Sequence, residues 1–356
     1  MADSGNDAKP PHRRRPRYGG THPRRFDDKY KELAPERYPD IVSHLREQGL
    51  TPAGQHVPVL VDETLAALAL APGDRGVDAT VGWGGHAQRF LERIGPGGCL
   101  LALDADPIEL PKTEARLRAL GYDQNALVVQ RTNFAALGAA IDAAGWHDGV
   151  DFLFADLGVS SMQIDNPTRG FSIKHEGPLD MRMNPNRGVP AARWLERVSL
   201  EALTRALEEH ADEPRALEIA TALDARHGEL QTTAALAAAV RDVVGEEDDG
   251  LTVRRVFQAL RIAVNDELGV LGALLRQLPQ CLRPGGRIAI LTFHSGEDRR
   301  VKPAFEAGVR AGFYTDVPRE VVRPSGAEQR ANPRARAAKL RSARRTSLRL
   351  DQEDGA

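Results

Sequence analysis

The stretch Gly76-Val77-Asp78-Ala79-Thr80-Val81-Gly82-Trp83-Gly84-Gly85-His86, a helical run, and then Cys99-Leu100-Leu101-Ala102-Leu103-Asp104-Ala105-Asp106 decide the fold. They read strand, glycine turn, helix, strand. Gly76 to Thr80 closes a short apolar strand that carries Asp78. Gly82, Gly84 and Gly85 permit backbone turns and close approaches that a Cβ would block. Ala87 to Ile94 has helical spacing, and Gly95-Pro96-Gly97-Gly98 stops it. Leu100 to Leu103 is a buried strand with Asp104 at its carboxyl end. This is the first half of a doubly wound sheet, whose ligands lie beyond the carboxyl ends of the strands. An acid at the end of the second strand commonly holds ribose hydroxyls. The glycine spacing is not G-x-G-x-x-G, which points away from a dinucleotide and towards a nucleoside without pyrophosphate, such as S-adenosylmethionine.

Working outward, the βα alternation continues. Val57-Pro58-Val59-Leu60 leads into a helix over Asp62 to Leu70 with Asp62 as its N-cap. Another helix runs from Pro107 to Leu120, with Asp106 ahead of it as a cap. A third strand covers Ala126 to Gln130, Asn133-Phe134 opens a helix, and a fourth strand, Val150 to Ala155, ends on Asp156. Strict βαβα order implies a parallel sheet. The pattern breaks at 157–190, rich in Gly and Pro, and becomes helical over 191–242 and again from Thr252 to Leu278, where Pro279 ends it. A turn and a fifth, apolar strand follow within Leu282 to His294.

The division expected is a basic, disordered tail at 1–50, a nucleotide-binding domain from 51–160 plus 275–320, an inserted helical substrate-recognition domain at 161–274, and a basic segment at 321–356. The acidic loop Glu246 to Asp249 lacks calcium-loop spacing and reads as solvated.

The 356 residues carry 48 Lys and Arg against 50 Asp and Glu, so overall charge does not announce a nucleic-acid binder, although Arg-rich runs stand near both ends. The two cysteines, Cys99 and Cys281, lie in apolar runs as small core residues, and neither a disulfide framework nor a metal site is expected. No apolar run reaches the roughly 18–20 residues of a membrane span. A reduced, cytoplasmic protein is the default.

Several stretches carry candidate chemistry. Gly84, Gly85 and His86 form a loop against a cofactor, Asp104 faces its ribose, and Phe134 either stacks on its base or is a core aromatic. Asp156, at the end of strand four, bonds either the cofactor amine or the substrate, and Gln163 reaches the same site if the loop turns back. The loops carrying Arg169, Phe171 and Arg182 mix Arg, aromatic and Gly in a way suited to gripping single-stranded nucleotides. The bland alternative is a packed loop held by Asp180–Arg182 contacts. Asn265 and Glu267 are either site residues or a solvated face, and His294, at the end of strand five, is an acid, base or phosphate ligand, or part of a capped turn in which Ser295 or Asp298 starts the next helix, or both.

Taken together, these stretches resemble the bacterial 16S ribosomal RNA cytosine-N4 methyltransferases (RsmH, formerly MraW). The resemblance runs from His56 to Phe305 and includes the tail motif Asn332-Pro333-Arg334-Ala335-Arg336. Ala87, Met162 and Gly296 depart from the family's usual Ser, Pro and Leu. The resemblance implies a Rossmann-like class I methyltransferase with an inserted all-helical domain. It also implies methyl transfer from S-adenosylmethionine to the N4 amine of a cytidine in the decoding region. The family's cofactor contacts map to Gly84, Gly85, His86, Asp104, Phe134, Asp156 and Gln163. Asp156 is the candidate catalytic residue, and Arg169, Phe171, Arg182, Asn265, His294 and Ser295 are substrate candidates. The partners expected are 16S rRNA or the 30S subunit and, as an open option, a homodimer mate, with no membrane. Three rival functions are methylation of DNA or a metabolite, a non-catalytic RNA-binding assembly factor, and a dinucleotide oxidoreductase, the last disfavoured by the glycine spacing.

Overall fold

A computed structural model describes residues 58–245 and 250–347. The expected N-terminal tail, His56-Val57, the acidic loop at 246–249 and the stretch from 348 onwards lie outside the described residues.

The chain opens with α1 (Val61–Leu68) and then alternates β1 (Arg75–Asp78), α2 (Gly85–Ile94), β2 (Cys99–Asp104), α3 (Glu109–Ala119), β3 (Leu127–Arg131), α4 (Leu137–Ala143) and β4 (Val150–Asp156). The helical insertion holds α5 (Ser161–Asp165), α6 (Ala191–Leu195), α7 (Leu200–Ala211), α8 (Ala216–Asp224), α9 (Thr233–Val244) and α10 (Leu251–Asn265). Then come α11 (Glu267–Cys281), β5 (Leu282–Thr292), α12 (Ser295–Arg310), β6 (Tyr314–Thr315), α13 (Gly326–Ala331) and β7 (Lys339–Arg345).

The seven strands lie in the order β3-β2-β1-β4-β5-β7-β6. β1 to β5 are parallel, and β7 runs antiparallel to both neighbours. Central strands covered on both faces read as continuous apolar runs, and Leu100, Leu101, Ala102 and Leu103 of β2 are fully buried. One core layer joins Val77, Leu101 and Leu153 to α4 and α11, and the opposite layer joins Leu100, Phe152 and Phe154 to α1 and α2. Gly76 is required by packing, because a Cβ there would stand 2.1 Å from the Phe152 ring.

The insertion has its own core, built from Leu203, Leu207, Ile219, Leu236, Val256 and Leu260 among others, and that core ends with α10. α11 belongs with the sheet, since Leu271, Leu274 and Leu278 pack into the sheet's layer. The sequence suggested one continuous helix over 252–278. The structure breaks it at Asp266, whose φ of 49° is left-handed and whose carboxylate folds over Gly269, where a Cβ would come within 2.4 Å of it. Pro279 lies inside the last turn of α11 and does not end it.

Two further expectations are corrected. Asp62 is not the cap of α1. The helix begins at Val61 behind Leu60 (φ 54°), and Asp62 sits in the first turn, while the Leu60 N–H donates to Glu328 Oε1 at 2.8 Å. The basic segment after 320 is also not merely a charged tail. β7 pairs with β5 from Arg287↔Arg344 to Thr292↔Lys339, burying Leu340 and Ala343. Its cations are neutralised locally, with Lys339 Nζ at 2.8 Å from Asp298 Oδ2 and Arg341 Nε at 2.5 Å from Asp298 Oδ1.

Candidate active site at the carboxyl ends of the strands

β1, β2 and β4 are adjacent, and each ends on an aspartate: Asp78, Asp104 and Asp156. Connections leave β1 and β4 in opposite directions, so the crevice between them is the sheet's switch point, where ligands bind in such folds. A cavity of about 350 Å3 opens there, within the range of small-molecule sites.

The glycine turn is held from several sides. Gly82 N–H donates to Asp104 Oδ2 at 2.9 Å, and Asp106 N–H donates to Asp104 Oδ1 at 2.9 Å. Thr113 Oγ1 donates to the Gly82 carbonyl at 2.5 Å, and the Arg116 guanidinium stacks 3.6 Å from the Trp83 ring centroid. Gly84 (φ 80°) starts α2, and a Cβ at Gly85 would strike Pro58 at 2.5 Å. Gly82 and Gly158 line the cavity. A Cβ on Gly158 would meet no protein atom within 4 Å, and one on Gly82 only the Thr80 carbonyl at 3.7 Å.

His86 is buried and tilts against Phe154, with ring centroids 4.5 Å apart. Its Nε2 lies 3.0 Å from the Val59 carbonyl. A carbonyl only accepts, so Nε2 carries the proton and Nδ1 faces Asp156 Oδ2 at 3.8 Å. The backbone N–H of Asp156 donates to Thr80 Oγ1 at 2.6 Å.

Burial, opposed by the Thr80 N–H and reinforced by the charges of Asp156 and Asp104, pushes Asp78 up to about 8. Burial, reinforced by the Glu297 charge, raises Asp156 to about 7. Burial raises Asp104 to about 6 against its backbone hydrogen bonds. Carboxylates poised near neutrality in one cleft are what proton-transfer sites require.

The cavity brings together Gly84, Gly85, His86, Asp104, Phe134, Asp156, Gln163 and Asn265 from the sequence reading. Two of these already have occupied side chains. Gln163 Oε1 accepts from Ser160 N–H at 2.9 Å while its Nε2 donates to Asp106 Oδ2 at 2.8 Å. Asn265 donates to the carbonyls of Met181 (2.7 Å) and Arg261 (2.8 Å) and accepts from Met183 N–H (2.7 Å).

Arg169, Phe171, Arg182, His294 and Ser295 do not line the cavity. Arg169 is a correction in kind. It is buried and donates to Asp106 Oδ2 at 2.7 Å and to the carbonyls of Arg182 and Met183 at 3.1 and 2.8 Å. Asp106 also takes the N–H groups of Ile108 and Glu109 on its other oxygen. The 168–183 loop is therefore packed, with Phe171, Leu179 and Met181 in the insertion core, and Arg182 forks onto Asp180 at 2.8 and 2.7 Å. Ser295 donates to Asp212 Oδ2 at 2.8 Å, and His294 Nε2 lies 3.2 Å from Glu297 Oε1.

The sequence reading quoted Asn332 and Arg334 only as part of the tail motif and gave Arg261 and Glu297 no role in the pocket, yet all four line the cavity. The break at Asp266 carries Arg261 and Glu267 to the cavity. α12 begins beside β5 and supplies Glu297. The motif Asn332-Pro333-Arg334 folds over the opening as a 3-10 turn capped by Asn332, with Arg334 Nη2 donating to Asp165 Oδ1 at 2.7 Å. The motif was legible in the sequence; its position at the cavity was not.

Glu267, His294 and Glu297 place polar atoms within 4.8 Å of one another. The Arg261 guanidinium is forked onto Glu267 there, so that cluster reads as an ion-pair network.

The lining carries seven acidic side chains, from Asp78, Asp104, Asp106, Glu109, Asp156, Glu267 and Glu297, against two arginines, Arg261 and Arg334, and it stays acidic overall even with Asp78 protonated near neutral pH. That set disfavours a pyrophosphate and suits a cationic sulfonium nucleoside. No helix among the described residues is long and apolar enough to cross a membrane.

Comparison with known proteins gives a consistent picture. The family model described as the MraW methylase family matches residues 53–346. A ribosomal RNA small subunit methyltransferase H 1 from Lachnoclostridium phytofermentans is 46% identical over 342 residues, covering 93% of each chain. The protein of the same name from Agathobacter rectalis is 46% identical over 340 residues, covering 93% of this chain and 97% of the other. A ribosomal RNA small subunit methyltransferase H from Halorhodospira halophila is 43% identical over 316 residues, covering 83% and 95%.

Proposed function

The chain belongs to the MraW methylase family, and from that premise we propose that it methylates the N4 amine of a cytidine in small-subunit ribosomal RNA, in the decoding region of the 30S particle. Bound in the cavity, S-adenosylmethionine supplies an electrophilic methyl group. Asp104, the Gly82–Gly85 turn, Phe134 and Asp78, which line that cavity, would hold it.

The amine of cytosine is a poor nucleophile because its lone pair is delocalised into the ring. Catalysis then rests on alignment and on an acceptor that draws on an N–H as charge develops. Asp156 is that acceptor. It stands at the end of β4 inside the cavity, and burial has raised it to about 7, where a carboxylate takes a proton far more readily than at its ordinary value. The backbone N–H of Asp156, donating to Thr80 Oγ1 at 2.6 Å, fixes the strand end that carries it. The target base leaves its stack to enter the cavity, whose outer wall is formed by the α10–α11 break and the 332–334 turn.

The observation that carries this reading is one acid-lined cavity, sized for a nucleoside, that runs from the glycine turn to those outer elements. The test is to incubate the protein and labelled S-adenosylmethionine with small subunits from cells lacking it, then analyse the nucleosides by mass spectrometry. N4-methylcytidine at one position is expected. Particle binding without methyl transfer would make it an assembly factor, and label in DNA or metabolites alone would move the acceptor elsewhere.

A further inference from the structure

Taking the cytosine reading as its basis, we propose that Arg261, clamped by Glu267, and the neighbouring Glu297 form a base-reading subsite that presents cytosine with the acceptor–donor–donor edge of a guanine.

The break at Asp266 folds α11 back so that Glu267 meets Arg261 six residues earlier, Nε to Oε1 at 2.7 Å and Nη2 to Oε2 at 2.9 Å. This bidentate fork fixes the guanidinium plane. The remaining nitrogen, Nη1, has no protein partner among the described residues, although the Arg261 side chain is only 17% exposed. Spare donors on a largely desolvated cation call for an acceptor.

Glu297 is held equally firmly. Its Oε2 accepts from the N–H groups of Phe293 at 2.7 Å and His294 at 3.3 Å, and its Oε1 faces His294 Nε2 at 3.2 Å. Burial would raise Glu297, but the His294 ring beside it, the Phe293 N–H and the Arg261 charge outweigh it and hold the carboxyl below its ordinary value. Each carboxylate oxygen retains lone-pair capacity. Arg261, Glu267, Glu297 and Phe293 all line the cavity that contains Asp156, and the Glu297 charge reaches Asp156 strongly enough to help raise it.

Cytosine offers a donor amine, then N3 and O2 as acceptors. Glu297 accepts from the amine, and Arg261 Nη1 donates to N3 and O2. Uracil would set its O4 against the Glu297 carboxylate and its N3–H against the guanidinium, leaving two buried groups unpaired. Phe293, half-buried on the same wall, offers an aromatic surface to the base.

The test titrates the full chain, saturated with S-adenosylhomocysteine, with cytidine and with uridine, and follows protein resonances by NMR. Wild-type protein is expected to prefer cytidine by roughly tenfold or more, since sites built to hydrogen-bond reject analogues with mismatched groups. Glu297→Gln supplies an amide donor for O4, so it should narrow or invert the preference. Arg261→Lys should narrow it by losing the fork. S-adenosylhomocysteine affinity and the unfolding midpoint serve as controls that a merely structural role would move instead. Equal binding of the two nucleosides, no binding up to their solubility, or full preference retained in both folded variants would overturn the proposal. If a variant unfolds, the wild-type preference decides. N4-methylcytidine as the wild-type product together with unaltered preference in the variants would sink this subsite alone. A different product nucleoside would sink the reading beneath it.

Discussion

Replacing Arg169 by Ala separates a packing role from a grip on RNA. The guanidinium makes one ion pair at 2.7 Å with Asp106 and two hydrogen bonds, at 3.1 and 2.8 Å, with the carbonyls of Arg182 and Met183. Both members of the pair are buried, at 5% and 1% exposure. Truncation leaves Asp106 with Gln163 and two backbone N–H groups but without its counter-charge. Breaking a buried pair by removing one partner costs about 3–5 kcal/mol, and the two carbonyls lose a charged donor besides. We therefore expect Arg169→Ala to lower the unfolding free energy by at least about 3 kcal/mol, read from the midpoint of urea denaturation at unchanged m-value. Arg169→Met, which retains volume without charge, should recover little, because the Asp106 charge stays uncompensated. Particle affinity of the folded fraction should be unchanged. A loss below about 1 kcal/mol, accompanied by weaker particle binding, would refute the buried-network reasoning and return Arg169 to the RNA surface.

Other outcomes follow from the same structure. Activity should fall as pH drops through about 7, the value to which burial and then Glu297 raise Asp156, because the acceptor must be deprotonated; a flat single-turnover profile from pH 6 to 8 would remove that role. Asp78 is raised from 3.8 to about 8, so it favours folding while protonated. Its contribution is complete below its unfolded value and is lost as pH rises through about 8. Asp78→Asn should accordingly lose less stability between pH 6 and 9 than wild type, the difference approaching about 1.4 kcal/mol per pH unit in denaturation series. Gly76→Ala drives a Cβ to 2.1 Å from the Phe152 ring and should cost about 1–3 kcal/mol or more by thermal melting. A chain stopped before Lys339 exposes the β5 edge and should aggregate, as light scattering would show.

The parallel sheet was legible because its signals are local. Apolar runs such as Leu100 to Leu103, bounded by glycine turns, leave few alternatives, and the strand-end acids Asp78, Asp104 and Asp156 mark the crevice by position alone. The break at Asp266 was not legible, since Asp within an apolar-periodic run reads as a polar face of one helix. β7 was hidden for a related reason. Only Leu340 and Ala343 of its seven residues are buried, and its four cations read as solvated until Asp298 is known to neutralise two of them. The loop carrying Arg169 and Arg182 misled through composition: polar and irregular residues suggested exposure, whereas a buried network depends on a partner, Asp106, 63 residues away. Glu297 and Arg334 reach the cavity only through tertiary folding, which a linear reading does not provide.

The placement of β7 bears on how the molecule is made. The glycine turn and the three aspartates leave the ribosome early, yet the sheet cannot close, nor the 332–334 turn cover the opening, until synthesis has passed Arg345. A nascent chain therefore carries an unfinished nucleoside pocket for most of its time under translation, with the raw edge of β5 open to wrong partners. Methyl transfer competence is in this sense a late, post-assembly property, and chaperone dependence during synthesis should track that edge.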